Sequence, residues 1–294
     1  MSTKRKVAIG VAIWLGGTLA LVLAFGTAGK NSSYQPQAEF KLHTWVNLGI
    51  VSINKAVLYL FLAAILTCVT MIYVARRMKQ RPNRVQTAVE VVFGVLQNNI
   101  VGANMDRRMA VKWFPFIATL ALFIFFSNLV GYIPLPTSSE TINIFGAHIP
   151  AFSLYAATAN LSIPLVLALV VFVSYTAEGI RAKGPIGYLK GLIPGGVTGP
   201  MAGFIFVLEL LSNVMRLMSL SVRLFANILA GHLIILFMAG ALAVLLGVSA
   251  LGWFTLPFGV ALFAFEVGLV AALQAFIFAT LTAIYLGGAV ADHH

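Results

Sequence analysis

GFIFVLELLSNVMRLMSLSVRLFANILAGHLIILFMAGALAVLLGV, residues 203–248, contains no proline, and its only ionisable side chains are Glu209, Arg216, Arg223 and His232. Read as one helix, these ~46 residues would reach about 69 Å at 1.5 Å per residue. A second apolar run, 257–290, would reach roughly 50 Å, against a hydrocarbon core about 30 Å thick. Three arrangements meet those lengths: two short spans per run, long helices projecting into water, or a hairpin of steeply tilted helices turning near 249–257. Turns at Gly231 or Gly240 would have hardly any polar residue to satisfy them, and projection into water fits poorly with so few charges. The tilted hairpin fits best. Such helices lie across a neighbour, which calls for a large partner in the membrane.

The rest of the chain supports a membrane reading. Hydrophobic residues make up 60% of the 294 positions and Asp, Glu, Lys and Arg only 9%, against about 25% charged in a soluble domain. Disordered chains are polar and poor in aromatics, whereas this one has 22 Phe. Nineteen Lys and Arg against eight acids give a net charge of +11. The basic residues gather in short blocks between apolar segments, as in cytoplasmic loops, so nucleic acid is not the implied partner. Cys68 is the lone cysteine, which removes disulfide frameworks and Cys-based metal sites. The fold class is an all-α polytopic membrane protein with five or six membrane helices, ending in the long tilted hairpin. Its regions are 1–50 (an N-terminal span or cleaved signal, then an external connector), 51–200 (helical membrane region with basic loops) and 201–294 (the hairpin).

Lys4, Arg5 and Lys6 precede an apolar stretch from Val7 to Ala28. It reads either as a retained span or as a removed secretory signal, with Ala24 and Ala28 as small residues for cleavage, although its apolar core exceeds the usual ~7–15 residues of a signal. A polar connector covers 29–50. A second span near 51–74 ends in Arg76, Arg77, Lys79, Arg81 and Arg84. Residues 85–101 mix apolar positions with Glu90, Gln97, Asn98 and Asn99, the pattern of an amphipathic helix on the membrane surface. Asp106, Arg107, Arg108 and Lys112 lead into a third span at 113–133, and a fourth covers 159–177. Arg181, Lys183 and Lys190 then lie in a loop punctuated by glycine and proline over 178–200. Residues 134–158 carry no Lys or Arg. The positive-inside bias therefore puts 75–112, 178–200 and the C-terminus in the cytoplasm and 134–158 outside.

Glu209, Arg216 and Arg223 are spaced by seven, so they drift only about 20° around a helix from one to the next. Asn213, Ser219 and Asn227 extend the same polar stripe. An arginine at bilayer depth costs at least about 2.5–3.5 kcal/mol, so such a stripe is not expected to face lipid. Arg216 has Glu209 one heptad back as a structural partner. Arg223 has no acid within two turns in sequence, which points to a carboxylate on another subunit or on the following helix. His232 is half a turn out of phase and faces away from Arg223. Folding the two helices about residue 252 places Glu266 opposite 238, within a turn or two of His232, and Gln274 opposite 230, within reach of Asn227. An imidazole and a carboxylate together can relay protons; they can also simply join two helices as a satisfied polar pair. One His and one Glu are too few to bind zinc.

The segment SLSVRLFANILAGH, residues 219–232, resembles the signature of the subunit a family of F-type ATP synthases. The stretch LQAFIFATLTAIYL, residues 273–286, resembles that family's final helix, and NLVGYIP, residues 128–134, and TANL, residues 158–161, resemble its middle spans. The similarity covers about 75–290. It implies a stator subunit with two offset ion half-channels facing a c-subunit ring, peripheral-stalk b subunits as further partners, and a bacterial inner membrane as the location. It implies that Arg223 faces the ring, that Asn227 and Gln274 are amides beside it, and that Ser219 is a small polar residue one turn earlier. His232 then lines the access path for the translocated H+ or Na+. Two departures accompany the match. Asn160 stands where some members have Asp, and Glu266 precedes Gln274 by eight residues where the familiar titratable position precedes it by seven. One residue turns a side chain by about 100°; either a local bulge restores the facing or the His232 cluster is arranged differently. No nucleotide-binding loop ending in Lys-Ser/Thr is present, and no cofactor is implied. The chief alternative is a self-contained transporter or channel, which would enclose its pathway in one chain and carry an internal repeat; a passive anchor leaves Arg223 unexplained.

Overall fold

A computed structural model describes residues 3–25, 42, 44–47, 52–79, 82–144, 147–193, 199–238 and 249–291. Its helices are α1 (Thr3–Phe25), α2 (Lys55–Arg77), α3 (Arg84–Gly94), α4 (Gly102–Asn104), α5 (Arg107–Val130), α6 (Ser162–Gly191), α7 (Pro200–Leu236), α8 (Ser249–Phe265) and α9 (Ala271–Val290). π-helical turns over Val95–Val101 and Glu266–Val270 join α3 to α4 and α8 to α9. The only strands among the described residues form two antiparallel hairpins in the connectors: β1 (Thr44–Asn47) with β2 (Ser52–Asn54), and β3 (Leu135–Ile144) with β4 (Ala147–Ser153). Five helical stretches among the described residues are long and apolar enough to cross a membrane: Lys55–Arg77, Arg107–Val130, Ser162–Gly191, Pro200–Leu236 and Thr255–Val290.

The core lies where α5, α6, α7 and α9 meet, around Ile117, Ile124, Val171, Leu224, Ile228, Phe278 and Leu286. Small residues set its closest approaches. A Cβ on Gly287 would overlap the backbone carbonyl of Asn104, and one on Gly131 would overlap Ala156. On the outside, Phe61, Ile65 and Val69 of α2 and Val166, Leu169 and Val173 of α6 are exposed. That apolar surface suits lipid contact.

α7 has 37 residues and Thr255–Val290 has 36, so each reaches about 55 Å at 1.5 Å per residue, far beyond the bilayer core. α7 passes unbroken through Gly231, which removes a turn there; Gly240 lies outside the described residues. The reversal expected near 249–257 is not found there, because Ser249–Phe265 is helical with Pro257 inside it. Proline removes one donor, and membrane helices tolerate that loss. Residues 239–248 lie outside the described residues.

A second difference concerns α6, which continues through Gly191 where glycines and prolines suggested a loop from 178. Gly184 adopts φ 74° and ψ 161°, a backbone that other residues rarely enter. Pro185, suited to the first turn of a helix, then restarts the helical backbone. Two helical pieces thus meet at a glycine kink.

The N-terminal apolar stretch forms α1, and Trp14 packs on Phe258 of α8 with ring centroids 5.3 Å apart. Ala28 and most of the 29–50 connector lie outside the described residues. Residues 85–101 are helical, as α3 and the π-helical turn after it; Leu96, Ile100 and Val101 are buried while Gln97, Asn98 and Asn99 are exposed, as are Val91 and Val92.

Candidate functional site

α7 presents Ser219, Arg223 and Asn227 at four-residue steps, so they lie above one another on one face. All three are exposed. Leu220, Leu224 and Ile228, each one residue on and so about 100° around the helix, are buried in the core. The Arg223 guanidinium makes no hydrogen bond or ion pair with the described residues. His232 follows half a turn out of phase and is 3% exposed. One helix therefore carries an arginine facing outward and a histidine facing inward.

Around His232 the side chains are tightly arranged. Its Nδ1 lies 3.0 Å from the carbonyl oxygen of Ile228 and its Nε2 3.3 Å from that of Gly131. The ring stacks on Tyr132, with centroids 4.6 Å apart and planes 26° apart. The Tyr132 hydroxyl donates to Oε2 of Glu266 at 2.9 Å. The Glu266 carboxyl also lies against the backbone of Gly231, the residue before His232. His232 and Glu266 are thus neighbours, as antiparallel folding suggested, but Glu266 sits seven residues lower on α7 than folding about residue 252 places it.

Glu266 opens the π-helical turn Glu266–Val270. A π turn accommodates one extra residue, so the eight residues from Glu266 to Gln274 advance about as seven do in an α-helix. That cancels most of the ~100° misfacing a one-residue offset would cause. Gln274 is buried at 4% exposure. No hydrogen bond joins it to Asn227 among the described residues; the two amides lie on differently exposed faces.

Nearer the start of α7, Arg216 bonds Glu209 at 3.3 Å, the partner its heptad spacing suggested. Its guanidinium carbon lies 5.8 Å from the Tyr285 ring centroid. Asn213 donates to the Glu209 carbonyl at 3.1 Å and accepts from the Tyr175 hydroxyl at 3.4 Å. Two further groups escaped the sequence reading. Tyr132 lay inside a quoted motif, but one aromatic among so many apolar residues gives no signal. Glu178, paired with Lys112, lay in a stretch that read as the start of a loop.

The residues that decide the family extend well beyond this site. The family model for the ATP synthase A chain matches residues 57–287. The chain belongs to the ATP synthase A chain family. It is 34% identical over 260 residues to ATP synthase subunit a of Rubrobacter xylanophilus, covering 83% of this chain and 92% of that one. Against the protein of the same name from Maricaulis maris the identity is 33% over 276 residues, covering 88% and 98%. For Pelagibacter ubique it is 30% over 257 residues, covering 87% and 96%. As an ATP synthase A chain, the protein is a membrane subunit of the F-type rotary complex, in the F0 sector whose ion flow is coupled to ATP synthesis. Its five spans and bacterial relatives agree on a polytopic protein of the bacterial inner membrane.

Proposed function

We propose that residues 201–294 form the surface against which a c-subunit ring turns, with Arg223 as the charge that separates two offset ion half-channels. One observation carries this reading: α7 holds a guanidinium at mid-helix, flanked by Ser219 and Asn227, on a face its own chain leaves uncovered. Arginine stays protonated and is costly in lipid. A face of this kind needs an acidic partner. A carboxylate on each ring subunit supplies it, where none pairs with Arg223 among the described residues.

In the synthesis direction an ion enters from the outer side past His232 and Glu266 and neutralises a ring carboxylate. The neutral acid can enter lipid at a far lower desolvation cost than the charged one. After nearly a full turn it reaches the inner half-channel, loses its ion, and is drawn to Arg223. The fixed charge favours the ionised acid and repels a cation crossing directly between the channels. One charge crossing 100 mV yields about 2.3 kcal/mol, so several per turn can support synthesis elsewhere in the complex. The register set by Glu266 against Gly231 supports a place for Gln274 at about the level of Arg223 along the helix pair.

The basic residues of 75–84 and 107–112 face the cytoplasm in this reading, with the C-terminus, and meet peripheral-stalk b subunits or anionic lipid headgroups. Residues 51–200 support the hairpin and 1–50 form the N-terminal span and external connector. A map of the assembled membrane sector tests the proposal: the Ser219–Arg223–Asn227 face should meet the ring carboxylates. Arg223 against lipid, or enclosed in its own bundle, would defeat it.

A further inference from the structure

We infer that Tyr132 is a positioning residue of the outer ion path, whose hydroxyl holds the Glu266 carboxylate beside His232; this rests on the half-channel reading above. Three elements converge on this one side chain. Tyr132 follows the end of α5, His232 comes from α7, and Glu266 from the π turn between α8 and α9. Tyr132 is 4% exposed, and its ring is clamped between His232 on one face and Phe263, edge-on at 5.7 Å and 88°. A phenol held this way cannot swing, so the donor to Oε2 of Glu266 is fixed in direction as well as distance.

The chemistry of the neighbours explains why that donor matters. His232 does not bond Glu266; both of its ring nitrogens face backbone carbonyls. Without the hydroxyl, the carboxylate has no other side-chain donor among the described residues, and on its other side it rests only against the bare backbone of Gly231. A four-bond side chain would then be free to leave the imidazole. The groups that titrate at this point are Tyr132, His232 and Glu266, one from each converging element. Arg223 points to the opposite side of α7. The hydroxyl therefore sets where an arriving proton finds its acceptor, while the ring does the packing.

Tyr132→Phe separates those two roles, since it keeps the ring and removes only the oxygen. The test uses the whole synthase in inverted membrane vesicles, with passive proton flow measured through the membrane sector after removal of the soluble head. Tyr132→Phe should assemble normally, lower that flow about ten-fold, the factor expected from losing one hydrogen bond to a charged group, and displace its pH profile. In a Glu266→Gln background the same change should add little, because the hydroxyl acts through the carboxylate. Unaltered flow and pH profile in Tyr132→Phe, or losses that multiply independently with Glu266→Gln, would overturn the inference and leave Tyr132 a packing residue. If Glu266→Gln and His232→Ala themselves conduct normally, the outer-path reading beneath it fails instead.

Discussion

The Glu266 carboxyl occupies the space that a side chain at position 231 would need: a Cβ built on Gly231 would stand 2.5 Å from both of its oxygens. Two helices that would otherwise be held a side chain apart are thereby joined through one carboxyl group resting on bare backbone. Because the obstacle is the far end of a flexible side chain, the conflict can be relieved without moving either helix.

Gly231→Ala should therefore spare the fold and damage the site. Alanine is favoured over glycine in a helix by about 1 kcal/mol, which offsets the cost of displacing the carboxyl. The purified complex should melt within a few degrees of wild type, while proton flow through the membrane sector falls several-fold. A variant that conducts normally would show that the position of Glu266 against α7 is unimportant.

The two ion pairs should respond differently to disruption. Glu209 and Arg216 are both partly exposed, with side chains 36% and 42% accessible, and exposed pairs contribute about 0–1 kcal/mol. Glu178 is only 7% accessible and pairs with Lys112, while its other oxygen has no partner among the described residues. Lys112→Met should strand that carboxylate and destabilise the protein by about 1–3 kcal/mol, with part of the loss recovered when Glu178→Met is added. Arg216→Met should change stability by less than about 1 kcal/mol. Thermal unfolding of the detergent-solubilised complex checks both, and equal losses would contradict the difference in burial.

Much of this was legible before the structure. Helix faces follow from spacing alone, so the outward Ser219–Arg223–Asn227 row, the inward His232 and the Glu209–Arg216 pair were all readable. The eight-residue step from Glu266 to Gln274 announced a local irregularity, and the π turn is that irregularity. Other features depend on tertiary contacts or on backbone choices that composition does not fix. Pro257 and Gly184 look like helix breakers, yet one sits inside α8 and the other only kinks α6, where Pro185 restarts the helix. Tyr132 was invisible for the opposite reason: in a chain so rich in apolar residues, nothing in sequence distinguishes an aromatic that packs from one that also donates a hydrogen bond to a half-buried acid.

Arg223 tests the central claim most directly, through ATP synthesis driven by an imposed ion gradient in vesicles with confirmed assembly of the complex. Arg223→Ala should abolish coupled synthesis, and Gln274→Leu should impair it far less. Normal gradient-driven synthesis by fully assembled Arg223→Ala complexes would contradict the assignment of this residue as the charge that couples ion flow to rotation.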